Sequence, residues 1–302
     1  MRRTILSTTA TAFLIIAFAA PASAFQQSGP SPFDWSGAMK SGATLTVRNF
    51  NGRIDVRAGS GNQVTVHAEA TSSRPSSDLT FQARQDGGDV SICSVWRGHS
   101  ACDRSGGGWD WDDEDHDGRD MRATMTVTLP RGVALRGATG NGAITVDGTG
   151  GDINIATGNG DVRISGTAGQ VKVSSGNGDL EVSGAQGTVT ASTGNGRVRV
   201  STGKGPVSAS TGNGDITVDM KSMADADDMK FTSGHGDIDV TVPATINMDF
   251  DATTGWGSIR TDFPIRVQGS LNPRHIEGTI GRGGQRLRIS TGFGSIELRK
   301  AN

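Results

Sequence analysis

The sequence predicts an all-β fold: a right-handed parallel β-solenoid (β-helix) with 18-residue coils, two strands and two Gly-rich turns per coil. Three observations lead there. Thr-Gly-Asn-Gly recurs at Thr139-Gly140-Asn141-Gly142, Thr157-Gly158-Asn159-Gly160, Thr193-Gly194-Asn195-Gly196 and Thr211-Gly212-Asn213-Gly214, with Ser175-Gly176-Asn177-Gly178 in step, each copy 18 residues after the last. A looser Gly-x-x-Gly falls halfway between, as at Gly148-Thr149-Gly150-Gly151 and Gly166-Thr167-Ala168-Gly169, so the underlying beat is nine residues. Between turns lie segments apolar at their second and fourth positions, such as Asp161-Val162-Arg163-Ile164-Ser165 and Asp179-Leu180-Glu181-Val182-Ser183.

Period-two alternation with β-branched residues marks half-buried strands. A unit this small cannot bury its apolar face alone. Stacking coils about 4.8 Å apart pairs each strand above and below and joins the cores. Three hexapeptides per coil, as in left-handed β-helices, would not give a nine-residue beat, and a β-sandwich would not need such regular turns. Right-handed winding is the default for parallel crossovers.

Residues 1–24 have the layout of an export signal, with Arg2 and Arg3, an apolar run from Ala10 to Ala20, and Ala22-Ser23-Ala24 before a cut at Phe25. The expected location is therefore the periplasm, the cell surface or the medium, and no transmembrane segment is expected in the mature chain. Residues 25–130 read as irregular N-terminal coils of the same solenoid, from Thr44-Leu45-Thr46-Val47 and Asn51-Gly52-Arg53-Ile54-Asp55-Val56 onward, interrupted by an insertion over residues 94–120. Residues 131–302 read as the regular array. It loosens from Lys221 to Phe231, where a short helical or looped bulge is expected, and it ends with Thr291-Gly292-Phe293-Gly294-Ser295-Ile296. The edge strands at the two ends need cover, and the sequence names no cap.

Losing Arg2 and Arg3 leaves 27 basic and 31 acidic residues, too even a balance to point to nucleic acid. In an exported chain Cys93 and Cys102 are expected as a disulfide, the alternative being two unlinked thiols. Asn141, Asn159, Asn177, Asn195 and Asn213 should stack as a structural ladder of amides that satisfies the turn backbone. His235, Trp256 and Phe293 occupy the same slot in later copies.

The inserted loop concentrates seven acids between Asp110 and Asp120. Asp113, Asp115 and Asp117, with Gly118, give the first half of a calcium loop, but its twelfth position falls on Thr124. A solvated acidic loop is the main expectation and calcium the alternative, with no other cofactor. Trp109 and Trp111 beside these acids are candidate ligand-binding residues, able to stack on a sugar ring or to pack against the rod. From Gly255 onward eight basic residues face three acidic ones, a basic end suited to anionic surfaces or to plain solvation. The sheet face carrying Thr190, Ser192, Ser208 and Ser210 is small and nearly neutral, a surface for a polysaccharide or another protein. No nucleophile elbow, His-Glu-x-x-His, phosphate loop or dinucleotide fingerprint is present, and the five histidines are scattered, so no enzyme is expected.

The run Val127-Thr128-Leu129-Pro130-Arg131-Gly132, the repeated Gly-Asn-Gly-Asp followed by alternating apolar residues, and Gly281-Arg282-Gly283-Gly284 before a final strand resemble the bacterial "putative adhesin" β-strand-repeat family, the domain of unknown function 4097 type. The resemblance covers nearly the whole mature chain. It implies envelope or surface attachment and brings no catalytic residues. The expected function is a non-enzymatic, adhesin-like interaction module presenting repetitive sheet faces to envelope polysaccharide or a surface protein. The alternative is a polysaccharide-binding or polysaccharide-processing β-helix that uses the Trp109/Trp111 loop.

Overall fold

The computed structural model describes residues 25–71, 78–102, 121–223, 227–267 and 272–301. The described residues form strands and no α-helix, as the alternating pattern requires. In chain order the first are β1 (Phe25–Pro30), β2 (Phe33–Ala38), β3 (Thr44–Asn51), β4 (Ile54–Gly59), β5 (Gln63–Ala70), β6 (Leu79–Asp86), β7 (Asp89–Trp96), β8 (His99–Ser100) and β9 (Ala123–Pro130). The regular coils follow as β10 (Ala134–Asn141), β11 (Ile144–Asp147), β12 (Ile153–Asn159), β13 (Val162–Ser165), β14 (Val171–Asn177), β15 (Leu180–Ala185), β16 (Val189–Asn195), β17 (Val198–Thr202), β18 (Val207–Asn213) and β19 (Ile216–Met220). Last come β20 (Met229–His235), β21 (Ile238–Val242), β22 (Met248–Trp256), β23 (Ile259–Thr261), β24 (Ile265–Val267), β25 (His275–Ile280), β26 (Arg286–Phe293) and β27 (Ile296–Lys300).

They make two sheets. One holds 15 strands, in the order β1-β6-β7-β3-β10-β12-β14-β16-β18-β20-β26-β22-β25-β24 with β8 beside β7; the other holds 12, in the order β2-β5-β9-β4-β11-β13-β15-β17-β19-β21-β27-β23. Between Ala134 and Met220 the coils stack as their sequence repeats, parallel and in register: Asn141 pairs with Asn159, Asn159 with Asn177, Asn177 with Asn195 and Asn195 with Asn213. Each coil sends apolar residues from both sheets into one core, as with Ile153, Ile155, Val162 and Ile164, all at most 3% exposed. The levels of β16, β17 and β18 fill their core with Val and Ala, while Phe81, Phe231 and Phe250 fill the core nearer the ends.

The ends depart from the expected pattern. Only part of the N-terminal region continues the parallel coils: β3 and β4 pair parallel with β10 and β11 on one side and with β7 and β9 on the other, whereas β1 with β6, β6 with β7, β2 with β5 and β5 with β9 are antiparallel. These segments also do not stack in chain order, because the β3/β4 coil lies between β7/β9 and β10/β11. The physical reason is the connection. An antiparallel strand can fold straight back on the last coil through a short turn, here Gly87-Gly88 between β6 and β7, whereas a further parallel coil needs a full crossover, and the sheets end at β1 and β2.

The C-terminal end uses the same device. The chain passes from β20/β21 to β22/β23, lays down β24 and β25 antiparallel, then returns so that β26/β27 fills the level left between them. The last repeat is thus not the last coil. Two smaller expectations also change. Strand β7 continues through Trp96 into the span read as insertion, and Met229 to Phe231 belong to β20 rather than to a bulge.

Candidate functional site

The corner between the two sheets is where the Thr-Gly-Asn-Gly-Asp repeat works, and each position has its own cross-coil bond. The hydroxyl turns inward and donates to a glycine carbonyl of the neighbouring coil: Thr157 to Gly142, Ser175 to Gly160, Thr193 to Gly178 and Thr211 to Gly196, at 2.9–3.1 Å. The Asp carboxylate accepts the next coil's backbone N–H, from Asp179 to Asp161 and from Arg197 to Asp179. The amides bond one another: each Asn Nδ2 donates to the preceding Asn Oδ1 at 2.7 Å through Asn159, Asn177, Asn195 and Asn213. The turn backbone is therefore served by the hydroxyls and carboxylates, and the Asn ladder is a bond of side chain to side chain.

The ladder starts earlier than the 18-residue count suggests, because Asn141 Nδ2 donates to Asn51 Oδ1 across 90 residues. The echo Asn51-Gly52-Arg53-Ile54-Asp55-Val56 is the signal that marks it. Replacing Asn177 by Ala removes two of these bonds and is expected to lower the unfolding free energy by about 1–2 kcal/mol, read from urea melts. An unchanged midpoint would mean that water replaces the amides without loss.

Past Asn213 the same slot holds rings. The coil order puts His235, Phe293 and Trp256 on three successive levels, although they lie far apart in sequence. His235 and Phe293 stack with centroids 4.8 Å apart and planes 4° off parallel. The Arg274 guanidinium lies 5.2 Å from the Trp256 ring centre. Trp256 and Phe293 are 64% and 52% exposed, the large apolar side chains left in solvent among the described residues.

Electrostatics around the column are mild. The Arg197 backbone N–H, helped by its guanidinium 2.9 Å away, holds the Asp179 carboxyl below the usual carboxylate range. Farther along the second sheet, burial pushes Asp239 up, while a hydrogen bond from Arg299 at 2.6 Å holds Glu297 down and raises Arg299 in turn. These groups lie in surface ion pairs along the outer face of one sheet.

The Toastrack DUF4097 family model matches residues 43–299. This chain belongs to the Toastrack DUF4097 family. Among solved structures, a "putative adhesin" from Bacteroides fragilis is similar at 12% identity, covering 89% of this chain and 96% of that one with a TM-score of 0.43. A "putative cell adhesion protein" from Clostridium sporogenes is similar at 12% identity, covering 89% and 100%, with a TM-score of 0.28. No curated protein matches the chain.

In this Toastrack chain the other sequence candidates fall as follows. Trp109, Trp111, Asp113, Asp115 and Asp117 lie outside the described residues, as do residues 1–24. Cys93 and Cys102 are joined, their Cα atoms 5.7 Å apart, and they border a shallow 160 Å³ pocket with Arg48 and Arg84. Among the described residues no group of three or more His, Cys, Asp or Glu could hold a metal, and no helix is long and apolar enough to cross a membrane. The basic end is not one patch: Arg288 pairs with Asp251 at 3.0 Å, Lys300 sits over Phe263, and Arg274 covers Trp256. Arg266 and Arg286 instead share an open 330 Å³ pocket with Asp249, Asp251 and Glu277. Sequence reasoning placed the rings of His235, Phe293 and Trp256 in one slot but missed their order, since the out-of-order coil puts Phe293 between His235 and Trp256.

Proposed function

We propose that this chain is an exported, non-enzymatic attachment module of the bacterial envelope or surface, wound right-handed as parallel crossovers favour. The observation that carries this reading is the corner column. A rigid rod repeats its outward side chains at coil spacing, and at one end of one column it leaves two large aromatic rings in solvent. Exposed apolar surface on a folded chain marks a contact site more often than chance, and a rod suits contact along its length. The export-type leader and the even charge balance fit the same role. No cofactor enters this reading.

The test uses the full exported chain, labelled and titrated against isolated envelope fractions, alongside a lyase and hydrolase screen. Saturable binding without turnover is expected. Cleavage of any polymer would reject the non-enzymatic role, and absence of saturable binding would reject attachment.

A further inference from the structure

We infer that the corner column from Asn213 to Trp256 is a binding site for a neutral polysaccharide, laid along the rod axis. The inference rests on the attachment reading and names its site and ligand class. Four successive levels, Asn213, His235, Phe293 and Trp256, span roughly 14 Å at the usual strand spacing. With His235 stacked on Phe293 and Arg274 over the indole, the exposed parts of the Phe293 and Trp256 rings form a small apolar ridge with polar groups at either end.

The groups bordering that ridge choose the ligand. Asn213 is the last amide of its ladder. Its Nδ2 is committed to Asn195, while its Oδ1 has no further Asn to accept from and opens to solvent beside the His235 ring. On the side of the second sheet stand the exposed carboxylates of Asp215 and Asp237. Each gives Oδ1 to a backbone N–H of the next coil, and no ion pair engages Oδ2 among the described residues. The other flank is glycine, Gly234, Gly292 and Gly255, which lets a ligand lie close to the backbone.

An apolar protein surface docked on the rings would strand the Asn213 carbonyl and both carboxylates without partners, at a desolvation cost. Sugar hydroxyls can donate to all three oxygens while the C–H surface of the sugar packs on the exposed parts of the Phe293 and Trp256 rings. A polyanion would be drawn to Arg274 at the Trp256 end but would meet two carboxylates, Asp215 and Asp237, along the rest of the column, a net repulsion. Apolar ridge, open acceptors and acidic border together fit an uncharged polymer of hydroxylated rings.

Affinity electrophoresis and calorimetry of the full exported chain with dextran, mannan, β-1,3-glucan and β-1,4-glucan, with alginate as polyanion, test this. Binding to at least one neutral polymer and none to alginate is expected. Trp256→Ala and Phe293→Ala should each weaken that binding about tenfold or more, while Trp256→Phe should recover most of it. Because both rings are about half or more exposed, the melting temperatures of all three variants should fall by no more than a few degrees, far short of unfolding at the assay temperature. No neutral polymer bound, binding equal in both Ala variants, or preference for alginate would each overturn the site. If the Ala variants also keep full binding to envelope fractions, attachment stands and only this location fails. If the parent chain binds no envelope fraction, the attachment reading fails with it.

Discussion

A chain cut after Gly284 loses the whole C-terminal end of the rod. In a solenoid stacked in chain order, removing the last repeat strips one terminal coil and leaves the next as a new end. Here β26 pairs with β20 on one side and β22 on the other, and β27 likewise joins β21 to β23. Leu287, Ile289, Ile296 and Leu298 are fully buried between those levels. Their burial alone is worth roughly 6–12 kcal/mol, comparable with the total stability of a domain.

Deletion would leave a gap two strand spacings wide, about 10 Å, which β22 to β25 cannot bridge. Hydrogen exchange should therefore show lost protection in Met248–Trp256 and His275–Ile280 as well as in the residues beside the cut, with the coils from β10 to β18 still protected. Protected amides in Met248–Trp256 after the deletion would show that the inserted coil does not hold the end together.

Gly196→Ala is expected to cost about 3 kcal/mol or more, far beyond an ordinary surface substitution. Gly196 has φ +145°, and a Cβ there would sit 2.1 Å from the Gly178 carbonyl oxygen. That oxygen also accepts the Thr193 hydroxyl, so relieving the contact means parting two coils at their tightest point. Gly184 at the opposite corner supplies the control. Its φ is +66°, but a Cβ there would find its nearest atom at 3.5 Å, an ordinary contact. Gly184→Ala should cost only the left-handed backbone penalty, about 1–2 kcal/mol. Urea unfolding of the two variants side by side separates close approach from backbone conformation, and equal losses would remove the close-approach argument.

The regular coils were legible because their repeat carries its own bonding partners. Asn159, Asn177 and Asn195 meet in register as soon as coils of equal length stack, and inward Val and Ile follow from alternation alone. The ends were not legible from periodicity. Gly87-Gly88 between two apolar runs does signal a hairpin, and the echo at Asn51-Gly52-Arg53-Ile54 does mark a parallel coil, but no periodicity shows that β5 and β6 then fold back antiparallel on β9 and β7. His235, Phe293 and Trp256 could be assigned to the corner slot by motif, yet the stacking of His235 on Phe293 rather than on Trp256 depends on β26 lying between β20 and β22. Arg274 over Trp256 depends on β25 folding back against β22.

By itself, then, the sequence determined the all-β class, the 18-residue coil, the inward residues and the amide column, since each is a local relation repeated at fixed spacing. Only the tertiary structure decided the level at which each terminal coil sits and which strands end each sheet. It thereby decided which exposed rings become neighbours. Those outcomes turn on long-range competition for open strand edges, and a fixed spacing along the chain does not encode them.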